Sequence, residues 1–175
     1  MNDRIEMIRS RIREVPDFPR PGILFYDITP VIGDAKCLRA SCDLLAEPFA
    51  EQDVDVVAGM ESRGFIFGPP VAERLGAGFV PVRKPGKLPA ETIRRDYELE
   101  YGSDALEIHS DAVGAGDRVL VVDDLLATGG TAAATVRMLR EAGARVAGVA
   151  FVIELGFLKG RKKIENEKIH SLLVY

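Results

Sequence analysis

The sequence predicts a three-layer α/β fold with a mainly parallel central sheet. Short apolar runs alternate along the chain with segments in which apolar residues recur at helical spacing. The run Val119–Val122 has four β-favouring apolar residues, as expected for a parallel strand covered on both faces. Strands that alternate with helices form a parallel sheet with helices on its two faces, so these patterns indicate one α/β domain.

The first half of the chain begins with a predicted amphipathic helix, because Ile5, Ile8, Ile12 and Val15 recur at helical spacing. The segment Asp17–Gly22 contains two prolines and a glycine and ends this helix. The same patterns predict strands at Ile23–Ile28, Val54–Ala58 and Phe79–Val82 and helices at Asp34–Glu51 and Phe65–Leu75.

The second half of the chain starts with a charged, alternating segment. It predicts an exposed antiparallel hairpin made of Thr92–Tyr101 and Ala105–His109. The chain then returns to the core at Val119–Val122, and an alanine-rich helical pattern follows until Gly143. The last predicted strands are Val146–Ile153 and Ser171–Val174.

Composition and charge disfavour several classes of protein. The 175 residues carry a net charge of −4 with both signs well represented, which disfavours a nucleic-acid-binding protein. Cys37 and Cys42 are not in a C-x-x-C arrangement, so neither a metal site nor a disulfide framework is indicated. The charged N-terminus lacks the apolar core of a signal peptide, and no apolar run is long enough to span a membrane. We therefore expect a cytoplasmic protein.

The residues after Val119–Val122 are typical of a ligand site at the carboxyl end of a strand. Asp123 and Asp124 come first, and a Thr-Gly-Gly-Thr turn then leads into the helix. Glycines let backbone N–H groups approach a ligand, and the helix N-terminus is partially positive, so we expect residues 127–131 to hold a phosphate. The two carboxylates would repel that phosphate unless they face sugar hydroxyls or a bridging divalent cation.

Two earlier strand-end loops carry basic side chains. Arg63 follows the strand predicted at Val54–Ala58, and Arg83 and Lys87 follow the strand at Phe79–Val82. Because the carboxyl ends of parallel strands meet at one sheet edge, we expect these loops to converge with the phosphate loop. Arginine binds phosphate oxygens as a fork and lysine adds a mobile charge, so the three cations suit a diphosphate. Solvated strand-end charge is the alternative for any one of them alone.

Five motifs in the chain point together to a family. They are Asp17-Phe18-Pro19-x-Pro21-Gly22, Ser62-Arg63-Gly64-Phe65, Arg83-Lys84-x-Gly86-Lys87-Leu88-Pro89, Tyr97-x-Leu99-Glu100-Tyr101-Gly102 and the Asp-Asp-Leu-Leu-Ala-Thr-Gly-Gly-Thr signature at 123–131. In order and spacing they resemble the adenine branch of the type I phosphoribosyltransferase family. The resemblance implies the type I phosphoribosyltransferase fold in one domain, 1–175, with a small N-terminal hood at 1–33 and a flexible antiparallel lid at 84–110.

The resemblance also implies a reaction. The 5-phosphoribosyl group would pass from 5-phosphoribosyl-1-diphosphate to adenine, giving AMP and diphosphate, as in purine salvage. Mg2+ would be the cofactor, bound through diphosphate, ribose hydroxyls and water rather than directly by side chains. A homodimer is implied as well, whereas neither a nucleic acid nor a membrane is an expected partner.

Site roles follow from the resemblance at matching positions. The 5′-phosphate would bind Ala127, Thr128, Gly129, Gly130 and Thr131. Asp123 and Asp124 would bind the ribose 2′- and 3′-hydroxyls or the water shell of the metal. Arg63, Arg83 and Lys87 would hold the diphosphate. In the hood, Phe25 would stack on adenine while the backbone around Leu24 reads the base edge, and in the lid Tyr101 would close over the sugar.

Ala127 affects the assignment of the proton-transfer group. Hypoxanthine-type relatives carry an aspartate at this place in the phosphate loop, and alanine cannot move a proton. The resemblance therefore points to a lid carboxylate, Glu100, as the catalytic residue. Glu98 lies two residues away on the same strand face and stays an alternative.

Three other functions remain open on the sequence. A regulator could use the same fold to sense phosphoribosyl diphosphate, although such proteins usually carry a nucleic-acid-binding surface. A phosphoribosyltransferase for xanthine, guanine or orotate would share the phosphate loop and differ in the hood. A receiver-like signalling domain would explain the adjacent aspartates but gives no use to the loops of Arg63 and Lys87.

Overall fold

The described part of the chain contains five α-helices and nine strands. The computed structural model describes residues 3–98 and 103–175. Its α-helices are α1 (Asp3–Arg9), α2 (Thr29–Ile32), α3 (Ala35–Ala46), α4 (Gly64–Leu75) and α5 (Gly130–Glu141). Its strands are β1 (Arg13–Pro16), β2 (Leu24–Asp27), β3 (Val56–Met60), β4 (Gly78–Val82), β5 (Thr92–Glu98), β6 (Ser103–His109), β7 (Arg118–Leu126), β8 (Arg145–Glu154) and β9 (Ile169–Val174). None of the described helices has the length and apolarity that crossing a membrane requires.

Five parallel strands form the central sheet, in the order β4-β3-β7-β8-β9. The side chains of β7 alternate between two cores. Leu120 and Val122 pack with α1, α3 and α4, whereas Val119 and Val121 pack with α5 on the other face. All four side chains are fully buried. Burial on both faces explains the uninterrupted apolar run and confirms the predicted three-layer α/β fold.

The opening helix is shorter than its apolar pattern predicts. α1 ends at Arg9, and Val15 lies in β1, which pairs antiparallel with β2 and places Val15 opposite Phe25. The prediction of one helix through Val15 was therefore wrong. A residue that precedes proline is pushed out of the helical region, so Pro16 holds Val15 in an extended conformation. The result is a small two-stranded sheet within the segment 1–33, the hood.

The boundaries of the next two helices follow local chemistry. Asp34 caps α3, because its side chain accepts hydrogen bonds from the N–H groups of Lys36 and Cys37. The helix predicted to Glu51 ends at Ala46 and continues as a 3-10 turn, Glu47–Phe49, that contains a proline. α4 ends as predicted at Gly76, whose φ of +65° is the left-handed cap that glycine adopts without strain.

The predicted hairpin is present, but it is not exposed on both faces. β5 and β6 pair antiparallel, with Ile93 opposite Ile108. Leu106 and Ile108 are fully buried in the core that contains α5. The charged residues that suggested exposure lie mainly on β5, whereas β6 alternates less and contributes apolar side chains to the core. The base of the segment 84–110, the lid, is thereby anchored to the domain.

Candidate active site

β7 extends beyond its predicted end and carries both carboxylates within the strand. Asp123 is in register with Phe151, and Leu126 with Glu154, because β8 continues alongside. The strand end predicted at Val122 was wrong, since a paired neighbour outweighs the low strand propensity of aspartate. Asp123 and Asp124 are therefore fixed by the central sheet rather than by a loop.

The aspartate pair is electrostatically unusual, with Asp124 buried and Asp123 partly exposed. Asp124 forms an ion pair with Arg63, with 2.8 Å between Oδ2 and Nε. Burial raises the pKa of Asp123 well above its usual value, and the charge of Asp124 adds to that rise. Burial also raises the pKa of Asp124, although the charge of Arg63 opposes this shift. The pair therefore favours a partner that donates hydrogen bonds or brings positive charge.

Residues 127–131, the phosphate loop, connect β7 to α5. Gly129 has a φ of +76°, which places it in the left-handed region. α5 begins at Gly130, and the N–H groups of a first helical turn lack partners within the helix. Together with the helix dipole they favour an anion at this point. The loop lines a cavity of about 80 Å³ together with Asp123.

Glu61, which sequence reasoning did not assign, organises the basic loop after β4. Its Oε2 accepts hydrogen bonds from Arg83 Nε at 3.2 Å and from the Lys84 N–H at 3.0 Å. Its Oε1 accepts a hydrogen bond from the ammonium group of Lys87. Burial alone raises the pKa of Glu61, but these three neighbours outweigh it and the net shift is downward. Arg83 and Lys87 thus share one carboxylate, and the sequence signal was an acidic residue directly before Ser62-Arg63-Gly64.

One cleft of about 390 Å³ brings the predicted groups together. It contains Arg63, both aspartates and the last residue of the phosphate loop, so the loops after β3 and β7 converge as predicted. Arg83 and Lys87 reach its edge through their contacts with Glu61. Its lining residues are Glu61, Ser62, Arg63, Lys84, Tyr97, Leu106, Asp123, Asp124, Leu125 and Thr131.

The lid forms one wall of this cleft. Lys84 Nζ donates a hydrogen bond to the Tyr97 hydroxyl at 3.0 Å and forms an ion pair with Asp104, which joins the basic loop to both strands of the hairpin. Glu100 and Tyr101, predicted from the sequence, lie outside the described residues, between β5 and β6.

The hood presents exposed apolar side chains. Leu24 is 41 % exposed, and Phe25 makes an edge-to-face contact with Phe18 at 5.1 Å between ring centroids. Asp27 lies two residues beyond Phe25 on the same face of β2. Hydrogen bonds from Thr29 lower the pKa of Asp27, and the charges of Arg13 and Arg63 contribute less. The effect of Arg63 places the end of β2 within electrostatic reach of the cleft.

Replacing Glu61 with glutamine is expected to tighten the binding of inorganic diphosphate. The change removes the carboxylate that competes for Arg83 and Lys87, and each of these partly exposed ion pairs is worth about 0.2–1 kcal/mol. Two pairs correspond to roughly a twofold to thirtyfold decrease in Kd, which isothermal titration calorimetry would measure. Glu61→Asp keeps the charge and is the matched control. A Kd for Glu61→Gln equal to or higher than that of the unchanged protein would contradict competition between Glu61 and diphosphate for these cations.

Comparison with known proteins agrees with this geometry. A family model described as "Phosphoribosyl transferase domain" matches residues 33–171. A relative from Acidobacterium capsulatum, an adenine phosphoribosyltransferase, is 56 % identical over 170 residues, which cover 97 % of this chain and 94 % of the relative.

Solved structures show the same relationship. The crystal structure of adenine phosphoribosyltransferase from Rhodothermus marinus superposes with a TM-score of 0.94 at 52 % identity and covers 100 % of both chains. The enzyme from Saccharomyces cerevisiae, solved with adenine and an imino-altritol bisphosphate, superposes with a TM-score of 0.93 at 43 % identity over 98 % of this chain and 99 % of that one. The chain therefore belongs to the adenine branch of the type I phosphoribosyltransferase family.

Proposed function

We propose that this chain transfers the 5-phosphoribosyl group from 5-phosphoribosyl-1-diphosphate to adenine, giving AMP and diphosphate in purine salvage. One observation carries the proposal: a phosphate loop, a pair of adjacent aspartates and a set of cations meet at one sheet edge. Each group matches a different part of the donor, namely its 5′-phosphate, its ribose hydroxyls and its diphosphate. The relative from Saccharomyces cerevisiae, which binds adenine, supports the choice of acceptor.

The charges of the cleft suit the bond that breaks. When the bond between ribose C1 and diphosphate opens, positive charge develops on the sugar and negative charge on the leaving group. Asp123 and Asp124 lie on β7, where they would face the sugar. Arg63, Arg83 and Lys87 lie on the loops after β3 and β4, where they would hold the departing diphosphate.

The hood would bind the acceptor. Phe25 offers a ring face or edge for stacking, but stacking alone tolerates any purine. Selection of adenine therefore requires hydrogen bonds to its edge, which we assign to the backbone around Leu24. Ile23 and Leu24 are both more than 40 % exposed, as expected for groups that gain apolar contact when a base binds.

We include Mg2+ in the proposal as the cofactor. The aspartate oxygens are hard donors, and the raised pKa values of both groups favour a nearby cation. Mg2+ usually keeps several waters and binds through one or two carboxylates plus substrate phosphates, so Asp123 and Asp124 would contact its water shell. When bound, the ion neutralises charge on the diphosphate and orients it.

The lid would exclude water and supply the proton-transfer group. An activated phosphoribosyl group reacts with water unless the site closes, and the hairpin already forms a wall of the cleft through Tyr97 and Leu106. Glu100 lies in the segment that joins its two strands and is proposed as the catalytic residue, with Tyr101 closing over the sugar. Ala127, in the phosphate loop, has no proton to give or take.

One assay separates this function from its alternatives. The protein is incubated with 5-phosphoribosyl-1-diphosphate, Mg2+ and each purine base or orotate in turn, and the nucleotide formed is identified. We expect AMP from adenine and no nucleotide from the other bases. Another nucleotide as the main product would change the acceptor, and tight donor binding without product would indicate a regulator.

We further propose that the protein acts as a homodimer in the cytoplasm. The family resemblance supports the dimer, and light scattering of the purified protein at micromolar concentration tests it through the molar mass. A mass equal to that of one 19.1 kDa chain would contradict the dimer.

A further inference from the structure

Gly160 lies against the phosphate loop, although it follows that loop by about thirty residues in sequence. It begins the 3-10 turn Gly160–Ile164, between β8 and β9. A Cβ built on Gly160 would lie 2.1 Å from the carbonyl oxygen of Ala127 and 2.8 Å from the nitrogen of Gly129. Any side chain at this position therefore collides with the backbone of the loop.

The contact is reciprocal. A Cβ on Gly129 would lie 2.3 Å from the carbonyl oxygen of Gly160. Two backbones thus pack directly on each other, at the point where the phosphate loop turns through the left-handed region. Backbone atoms cannot rotate away as the end of a flexible side chain can, so the loop must move if either glycine gains a side chain.

An ion pair between the buried Glu154 and the half-exposed Arg161 fixes the segment that carries Gly160. Glu154, the last residue of β8, accepts two hydrogen bonds from Arg161, at 2.9 Å from Nε and 2.6 Å from Nη2. It also accepts a hydrogen bond from the Ser171 hydroxyl at 2.7 Å. Glu154 is only 5 % exposed. Glu154 is in register with Leu126, the last residue of β7 before the phosphate loop. The ion pair therefore holds residues 155–161 next to the end of β7.

We propose that Gly160 is a positioning residue for the phosphate loop and that the Glu154–Arg161 pair holds it in place. The proposal rests on the assignment of residues 127–131 to the 5′-phosphate. Neither Gly160 nor Arg161 needs to touch the donor, since Gly160 acts through the backbone of Ala127 and Gly129. Its replacement shifts the N–H groups that face the phosphate and should impair donor binding without affecting the acceptor.

The first test is Gly160→Ala, with Gly78→Ala as the matched control, because a Cβ at Gly78 meets nothing closer than 3.7 Å. We expect the Kd for ribose 5-phosphate and the KM for the donor to rise by about 10–100-fold, the loss expected when one backbone N–H no longer reaches a charged phosphate oxygen. The KM for adenine should stay within about twofold of that of the unchanged protein. A Gly160→Ala protein that binds ribose 5-phosphate normally, or that loses both substrates equally, would overturn the proposal.

A second test applies even if the Gly160→Ala protein does not fold. Arg161→Met removes the charge and both hydrogen bonds, whereas Arg161→Lys keeps the charge without the planar fork. We expect Arg161→Met to raise the Kd for ribose 5-phosphate by about tenfold, with partial rescue in Arg161→Lys. Equal values in both variants and the unchanged protein would refute the pair's role. Calorimetry measures binding without turnover. Unchanged protein that binds ribose 5-phosphate but forms no AMP would therefore refute the proposed reaction without refuting the role of this contact.

Discussion

Replacing Glu100 with alanine should lower kcat by about 10²–10⁴-fold, the range expected for loss of a general acid or base. The reason lies in Ala127, which leaves the phosphate loop without a carboxylate that could move a proton on the base. Steady-state assays with saturating donor and adenine would measure the effect. Donor binding should change little, because the contacts proposed for Arg63, Asp123 and Asp124 with that substrate do not involve Glu100.

Glu98→Ala is the matched control for this experiment. It removes a carboxylate two residues away and should leave kcat within a few-fold of the unchanged protein. Near-normal turnover in Glu100→Ala combined with an inactive Glu98→Ala would transfer the catalytic role to Glu98.

Replacing Asp123 with asparagine should make the protein more stable and less active. Asparagine can keep the hydrogen bond from the Asp124 N–H while it removes a poorly solvated ionisable carboxyl beside Asp124. We expect a gain of about 1 kcal/mol in the free energy of unfolding at pH 7.5, or about 2–4 °C in Tm. Activity should fall by about 10–100-fold, because a hydrogen bond from a ribose hydroxyl to a charged acceptor is worth about 1.5–3 kcal/mol.

The pH dependence of stability gives an independent check. A carboxyl whose pKa is raised by folding binds its proton more tightly in the folded than in the unfolded chain. The free energy of unfolding therefore falls as pH rises from the unfolded pKa, near 4, through the raised pKa of Asp123. Asp123→Asn should flatten this decline in denaturant titrations, whereas Asp111→Asn, at an exposed position, should not. An Asp123→Asn protein that is less stable than the unchanged protein at pH 7.5 would contradict the inference that the environment of the Asp123 carboxylate is unfavourable.

The sequence alone predicted the central sheet and the convergence of the strand-end loops. The apolar run of β7 requires burial on both faces, and Leu120 and Val121 do face opposite cores. Because parallel strands present their carboxyl ends at one edge, the order of strands and loops already placed Arg63 near Asp124. The ion pair between these two residues is the direct result of that topology.

Other features depend on contacts between distant segments, which periodicity cannot reveal. The extension of β7 through Asp123 requires β8 alongside it. The hydrogen bond from Arg83 to Glu61, and the approach of Gly160 to Gly129, join residues about twenty to thirty positions apart. The short α1 is a different case, since the proline after Val15 was a local signal that the helical spacing of apolar residues obscured.

The residues proposed to bind the two substrates belong to parts of the molecule that differ in how firmly the fold holds them. Asp123 and Asp124, the residues proposed for the ribose, belong to the middle strand of the central sheet, so loosening them requires unfolding of the domain. Phe25 lies on a four-residue strand, and within the described residues β1 and β2 pair only with each other. We therefore expect mutations in that small sheet to alter the choice of base while the donor-binding half keeps its fold. Such a division leaves base preference free to diverge in evolution while donor recognition stays tied to folding itself.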